Sequence, residues 1–313
     1  MEAIMRINGV INGIVWGPWM LTLLVGTGVY LTLILGLPQL RYFFLMFKEV
    51  FGNLGKKKEG EGTISSFAAL STALASTVGT GNIAGVATAL HLGGPGALFW
   101  MLVSAVFGMT TKMCEVALAV HFREKDPTGN WRGGTMYILE KGVGQKWLAW
   151  LFALFAFFAS FGIGCAVQAN STAEGFNLGF GIPNMYTGIA IAILTGLVII
   201  GGLKRISDVT TYLVPFMAIF YIVGGGIVVL THASAIPVAL GNAVKYAFSD
   251  PMALPGALAG WSVKIALTKG IARGVFSNEA GLGSAPMVHA TAVVDHPMRQ
   301  GMYGLFEVFT DTI

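Results

Sequence analysis

Five long stretches of this chain carry no Asp, Glu, Lys or Arg: residues 7–40, 62–111, 147–173, 175–203 and 209–244. A helix needs about 20 apolar residues to cross the hydrocarbon of a bilayer, so each stretch holds at least one crossing and the second holds two. Only 11% of the 313 residues are charged and 55% are hydrophobic, whereas a soluble domain carries about 25% charged residues to wet its surface. There is too little polar material to cover a globule. The bilayer must do so instead. Backbone in lipid finds no water to bond, and the ten-residue alternation of barrel strands is absent, so the crossings are helices.

The apolar pattern predicts crossings near 13–36, 64–90, 96–121, 147–177, 184–203, 208–232 and 261–293, with another starting at 300. That last one holds at most half a crossing before residue 313, and the chain is expected to be C-terminally truncated. The first has no clear cleavage site and is read as a retained span. Residues 41–51 form an amphipathic surface helix, and 236–248, too short to span, cap the outer side. Arg41, Lys48, Lys56, Lys57 and Lys58 lie in one loop region, Arg123, Lys125, Arg132, Lys141 and Lys146 in another, and Lys204 and Arg205 in a third. The alternate loops, 91–95 and 178–183, carry no Lys or Arg. The basic loops are therefore expected in the cytoplasm and the amino terminus outside a cell membrane crossed several times. The net charge of +4 sits in these loops and not in a stripe, which excludes a nucleic-acid face. Cys114 and Cys165 fall in apolar runs and read as small buried hydrophobes.

Two of the crossings are interrupted. The first interruption reads Ser76-Thr77-Val78-Gly79-Thr80-Gly81-Asn82-Ile83-Ala84-Gly85. Glycine costs about 1 kcal/mol against alanine inside a helix, so glycines flanking a threonine favour an unwound turn. Its carbonyls could coordinate a cation, and the half-helix after it would offer amide N–H groups to a carboxylate. The second interruption, Gly270-Ile271-Ala272-Arg273-Gly274-Val275-Phe276-Ser277-Asn278-Glu279-Ala280-Gly281-Leu282-Gly283-Ser284-Ala285-Pro286, combines glycines, hydroxyl and amide side chains and a proline. A pair of glycine-interrupted spans is the sequence mark of a transporter's midplane site. Close helix packing through Gly81 and Gly85 is the competing reading.

Polar side chains within the crossings need partners. Gln168 and Asn170 stand among Phe155, Phe157, Phe158 and Phe161; ligand binding and interhelical hydrogen bonding suit their spacing equally. Lys112 and Glu115, three residues apart, are expected to pair with each other. Arg273 and Glu279 are candidates for ion pairs at a gate. No HExxH, GxSxG or Cys/His cluster of metal-ligand spacing occurs, so an enzyme is not expected.

These strings, together with Gly93-Gly94-Pro95-Gly96-Ala97-Leu98-Phe99-Trp100-Met101 and Arg132-Gly133-Gly134-Thr135-Met136-Tyr137, closely resemble the alanine-or-glycine:cation symporter family. The resemblance covers essentially the whole chain. It implies an all-α polytopic membrane protein with the LeuT fold, two inverted five-helix repeats preceded by one extra amino-terminal helix. Residues 1–63 would hold the extra helix, the surface helix and a basic loop, 64–232 the first repeat, 233–260 an extracellular cap, and 261–313 the incomplete start of the second repeat. It implies symport of alanine or glycine with Na+, no cofactor and no nucleic acid, by a monomer; an uncoupled or proton-coupled permease is the alternative. Carried over by motif, Thr80, Gly81 and Asn82 would meet the substrate carboxylate. Thr77, Asn82 and Ser277 resemble one sodium site, and the carbonyls of Ala75 and Val78 half of a second. Gln168, Asn170, Phe276 and Asn278 would complete the pocket, with the amides near the substrate ammonium.

Overall fold

The computed structural model describes residues 2–52, 60–250 and 261–313 and is helical almost throughout. The basic run Lys56, Lys57 and Lys58 lies outside the described residues, as do residues 251–260 of the expected cap. Helices α1 (Glu2–Val15), α2 (Pro18–Ile34), α3 (Phe43–Phe51) and α4 (Ser66–Thr77) come first. A π-helical turn (Gly81–Gly85) runs into α5 (Val86–Gly93), followed by α6 (Gly96–His121) and α7 (Lys146–Ala159). A further π-helical turn (Ser160–Ala166), after one at Ile138–Gly142, leads into α8 (Val167–Phe180). Then come α9 (Asn184–Ile199), α10 (Gly202–Thr231), α11 (Ile236–Phe248), α12 (Val263–Asn278), α13 (Ala285–His289) and α14 (Pro297–Thr312).

Four of these runs are apolar and long enough to cross a membrane: Met5–Ile34, Gly96–His121, Lys146–Phe180 and Gly202–Thr231. A fifth is the pair Ser66–Thr77 and Gly81–Gly93, bent by 50° at the predicted interruption. The first crossing starts earlier than the pattern suggests. Asn8 and Asn12 weaken its apolar signal, yet α1 begins at Glu2 and joins α2 through Gly17, with Pro18 at the first position of α2, where its missing N–H costs nothing. Two expected crossings are shorter than drawn. Helix α9 has 16 residues, and α12 has 16 before it stops at the second interruption.

Helix α6 is the centre of the packing. Gly270 of α12 sits so close that a Cβ there would stand 2.3 Å from the Ala97 carbonyl oxygen and 2.9 Å from the Trp100 Cβ. Gly28 of α2 approaches the Phe107 carbonyl in the same way, with 2.9 Å for an added Cβ. Where α2 meets α6, Thr32, Gln39 and Thr110 form a fully internal hydrogen-bonded triad, which satisfies each hydroxyl and amide without water. On the other side α14 buries Tyr303, Leu305 and Val308 against Met109 and Met113 of α6. Gly270→Ala is expected to push two packed backbones apart and lower the unfolding temperature in detergent, at a cost of about 1–3 kcal/mol; an unchanged temperature would show that the interface is slack.

Helix α3 buries Met46 and Val50 against α14, and Tyr303 donates to the Glu49 carbonyl at 3.0 Å. Helix α11 packs on α6, where Trp100 Nε1 donates to the Ala247 carbonyl at 3.1 Å. Helices α8 to α10 present large apolar side chains outward; Leu178, Ile200 and Phe220 are 81%, 84% and 74% exposed, a surface suited to hydrocarbon. Phe155, Phe157, Phe158 and Phe161 share this outward face. Cys114 is half-buried, whereas Cys165 is exposed on that face and not buried as expected, because the π-helical turn carrying it lies against no neighbouring core.

At one end of the helices a short parallel pair joins β1 (Ile64–Ser65) to β4 (Ala292–Val293), and a hairpin forms from β2 (Glu124–Lys125) and β3 (Trp131–Arg132). Arg123, at the end of α6, donates to the carbonyls of Ala290, Ala292 and Glu61 at 3.1, 2.7 and 2.6 Å. Its guanidinium lies 4.4 Å above the Trp131 ring. The start of the first bent pair and the end of the second interrupted segment are thereby tied to one cation.

Candidate functional site

Helix α4 ends at Thr77 because Val78 turns extended, at φ −77° and ψ 106°, and no helical bond continues through Gly79. Two amides exposed by this opening are taken by side chains. Gly79 N donates to Asn82 Oδ1 at 2.9 Å, and Thr80 N donates to Gln168 Oε1 at 3.1 Å. The Thr80 hydroxyl donates to the same Gln168 oxygen at 2.8 Å. A Cβ at Gly79 would lie 2.9 Å from that oxygen, so a side chain there would displace the Gln168 amide from this position. One acceptor held by an amide and a hydroxyl at a helix start is the arrangement that a carboxylate oxygen would occupy. Gln168 thus faces the opened backbone by its oxygen.

The second interruption is sharper. Helix α12 ends at Asn278, and Glu279 (φ 54°), Gly281 (φ 90°) and Gly283 (φ 79°) turn through left-handed conformations before α13. Three buried or half-buried groups satisfy the backbone it frees. Lys112 Nζ donates to the Asn278 carbonyl at 2.9 Å, Glu115 accepts from Gly281 N at 3.1 Å, and Asn278 Oδ1 accepts from Ala280 N at 3.0 Å. Lys112 also pairs with Glu307 of α14 at 3.1 Å, both side chains wholly buried. Glu307 in turn meets His289 Nε2 at 3.1 Å, and His289 Nδ1 meets Gln300 Nε2 at 2.8 Å. Lys112 and Glu115 therefore do not pair with each other as their spacing suggests; both reach across to the gap in α12–α13. Glu279 hydrogen-bonds with Ser284, and no ion pair joins it to Arg273.

The two interruptions meet at Asn82. Its Nδ2 donates to Ser277 Oγ at 3.1 Å and to Asp311 at both the carbonyl oxygen, 2.7 Å, and Oδ1, 3.0 Å. Asp311 Oδ2 accepts from the Thr312 hydroxyl at 2.7 Å, which is itself the acceptor for Asn278 Nδ2 at 3.2 Å. A cavity of roughly 660 Å³ opens beside this junction, lined by Val78, Asn82, Ser277, Asp311 and Thr312 and by apolar side chains such as Phe306, Phe309 and Val214. That volume lies in the range of small-molecule sites.

Of the residues expected from sequence, Thr80, Gly81, Asn82, Gln168, Ser277 and Asn278 gather at this junction. Val78 lines the cavity. Thr77 is buried, but its hydroxyl points back to the Ala73 carbonyl at 3.4 Å. Phe276 stands half-buried against Trp16 and beneath Arg273. Ala75 and Asn170 are exposed and join none of these contacts.

A model of the sodium:alanine symporter family matches residues 1–313, the entire chain. The chain belongs to this family. It is similar to the sodium/alanine symporter AgcS of Methanococcus maripaludis, 47% identical over 317 residues that cover 100% of this chain and 68% of AgcS. It is 47% identical to an uncharacterized transporter of Haemophilus influenzae, covering 97% of this chain and 66% of the relative. It is 40% identical to the amino-acid carrier protein AlsT of Bacillus subtilis, covering 97% and 64%. The chain thus spans about two thirds of the length of these relatives. Members of the sodium:alanine symporter family are transporters and not enzymes. The fold brings one further residue to the candidate site that the motifs did not include, Asp311. Its partner is what the sequence hides: only the packing of α14 brings it to Asn82. Lys112 and Glu115 carried a signal in the sequence: charged side chains within membrane segments mark function or its support.

Proposed function

We propose that this chain carries a small neutral amino acid, alanine or glycine, across the membrane together with sodium, by alternating access within a LeuT-like arrangement of inverted repeats. The observation that carries the reading is the junction at Asn82, where the opened backbone at 78–80, the end of α12 and a buried carboxylate converge on one cavity. The substrate carboxylate meets the amides of Thr80, Gly81 and Asn82, displacing the Gln168 oxygen from Thr80 N. Sodium is held by oxygens of Thr77, Asn82 and Ser277, with Asp311 supplying the negative charge that a desolvated cation requires. The carbonyls of Ala75 and Val78 offer half of a second sodium site. Asn170, Phe276 and Asn278 shape the remainder of the pocket. Cation and carboxylate neutralise one another at low dielectric, so each raises the affinity of the other.

Residues 64–232 form the first repeat and 261–313 belong to the second, with 1–63 outside the repeat and 233–260 as the outer cap. The amino terminus lies outside the cell and the basic loops inside, which puts the Arg123 tie at the cytoplasmic end. Breaking that tie opens the site inward. Proteoliposomes test the reading. An inward sodium gradient is expected to concentrate labelled alanine inside above its external level, and a proton gradient alone is not. Accumulation driven only by protons would transfer the coupling role to Asp311 as a proton acceptor, and equilibration without accumulation would mark an uncoupled permease.

A further inference from the structure

Arg273 lies one helical turn before Ser277, on the same face of α12, directly over the π-helical turn that follows the first interruption. Its guanidinium fits a cradle of two glycines. A Cβ at Gly85 would stand 1.9 Å from Cζ and 2.1 and 2.3 Å from Nη2 and Nη1, and one at Gly81 would stand 2.7 Å from Nη2 and 3.8 Å from Ser277 Oγ. The Phe276 ring supports it from the other side at 4.7 Å. Yet its Nε and Nη2 are buried without a hydrogen-bond partner among the described residues. Those two nitrogens form the edge of a guanidinium that grips a carboxylate in two parallel hydrogen bonds. The nearby acid, Asp311, makes no hydrogen bond to it and accepts instead from Asn82 on Oδ1 and Thr312 on Oδ2. A cation held this firmly, with its bidentate edge unused, is costly unless an anion completes it.

We propose that Arg273 is a specificity residue of the transport site, whose Nε–Nη2 edge takes the carboxylate of the carried amino acid where it meets the backbone at Gly81. This rests on the symport reading above and adds a positive charge to what the opened amides supply. Ligands with an ammonium but no carboxylate would be rejected, because they leave the Nε–Nη2 edge without an acceptor.

Competition against labelled alanine uptake tests it, with unlabelled alanine and alaninamide as competitors; the amide keeps the ammonium and the methyl group and lacks the carboxylate. In Arg273→Met the preference for alanine over alaninamide is expected to fall by about tenfold or more, with KM for alanine rising and kcat changing far less. Arg273→Lys, which keeps the charge but not the two-pronged edge, is expected to fall between, and it carries the test if the Met variant does not fold. An unchanged alanine-to-alaninamide ratio in the folded variants, with the parent still transporting alanine, overturns this proposal alone. A parent that does not transport alanine overturns the symport reading and this proposal with it.

Discussion

Lys112→Met is expected to abolish uptake and to destabilise the purified protein by about 3–5 kcal/mol, the scale for removing one partner of a wholly buried ion pair. Three groups depend on this ammonium. Glu307 loses its counter-charge at 3.1 Å, the Asn278 carbonyl loses its donor at 2.9 Å, and His289 is left holding a carboxylate without a cation. The Asn278 carbonyl closes the C-terminal end of α12, where the helix dipole is negative, so the lysine also offsets that partial charge. The cost comes mainly from the stranded Glu307. Lys112→Met combined with Glu307→Gln should therefore be markedly more stable than Lys112→Met alone, while still failing to hold the gap in α12–α13. Thermal unfolding in detergent of both single variants and the double variant checks this. Equal losses in the single Lys112 variant and the double variant would mean that the pair is not energetically coupled.

Asn82→Ala is expected to weaken sodium and alanine together, each by about tenfold or more. The amide does two things at once. Its oxygen holds Gly79 N in the opened geometry at 2.9 Å, and its nitrogen joins Ser277 and Asp311 at 3.1 and 3.0 Å. A hydrogen bond to a charged group contributes about 1.5–3 kcal/mol, enough for the stated factor before the opened turn relaxes. Because linkage is reciprocal, the variant must lose as much sodium dependence of alanine binding as alanine dependence of sodium binding. Sodium half-saturation and alanine KM in proteoliposomes read both. A variant shifted in only one of them would separate the two sites.

Local features of the sequence carried the architecture well. The charge-free stretches located the four helices long and apolar enough to cross a membrane and the bent pair. The glycine-flanked Thr80 marked where the first bent pair opens, since missing side chains act within a turn. The amphipathic pattern at 41–51 located α3. Features that depend on residues far apart in the chain were not readable. Lys112 and Glu115 look like an i, i+3 pair, and only the fold reveals that Glu307, nearly two hundred residues away, takes the lysine. Gln168 suits ligand binding and interhelical hydrogen bonding equally; only the fold brings its oxygen to the Thr80 amide and hydroxyl. The start of α1 was hidden by its asparagines. Asp311 was hidden by distance, since nothing in its neighbours announces that α14 delivers it to Asn82.

The most direct measurement is equilibrium binding of alanine to the purified protein with and without sodium, paired with sodium binding with and without alanine. If the opened backbone and the Asn82–Ser277–Asp311 junction form one shared site, both affinities rise, by the same factor, in the parent and stay flat in Asn82→Ala. Alanine affinity that ignores sodium in the parent would contradict the account.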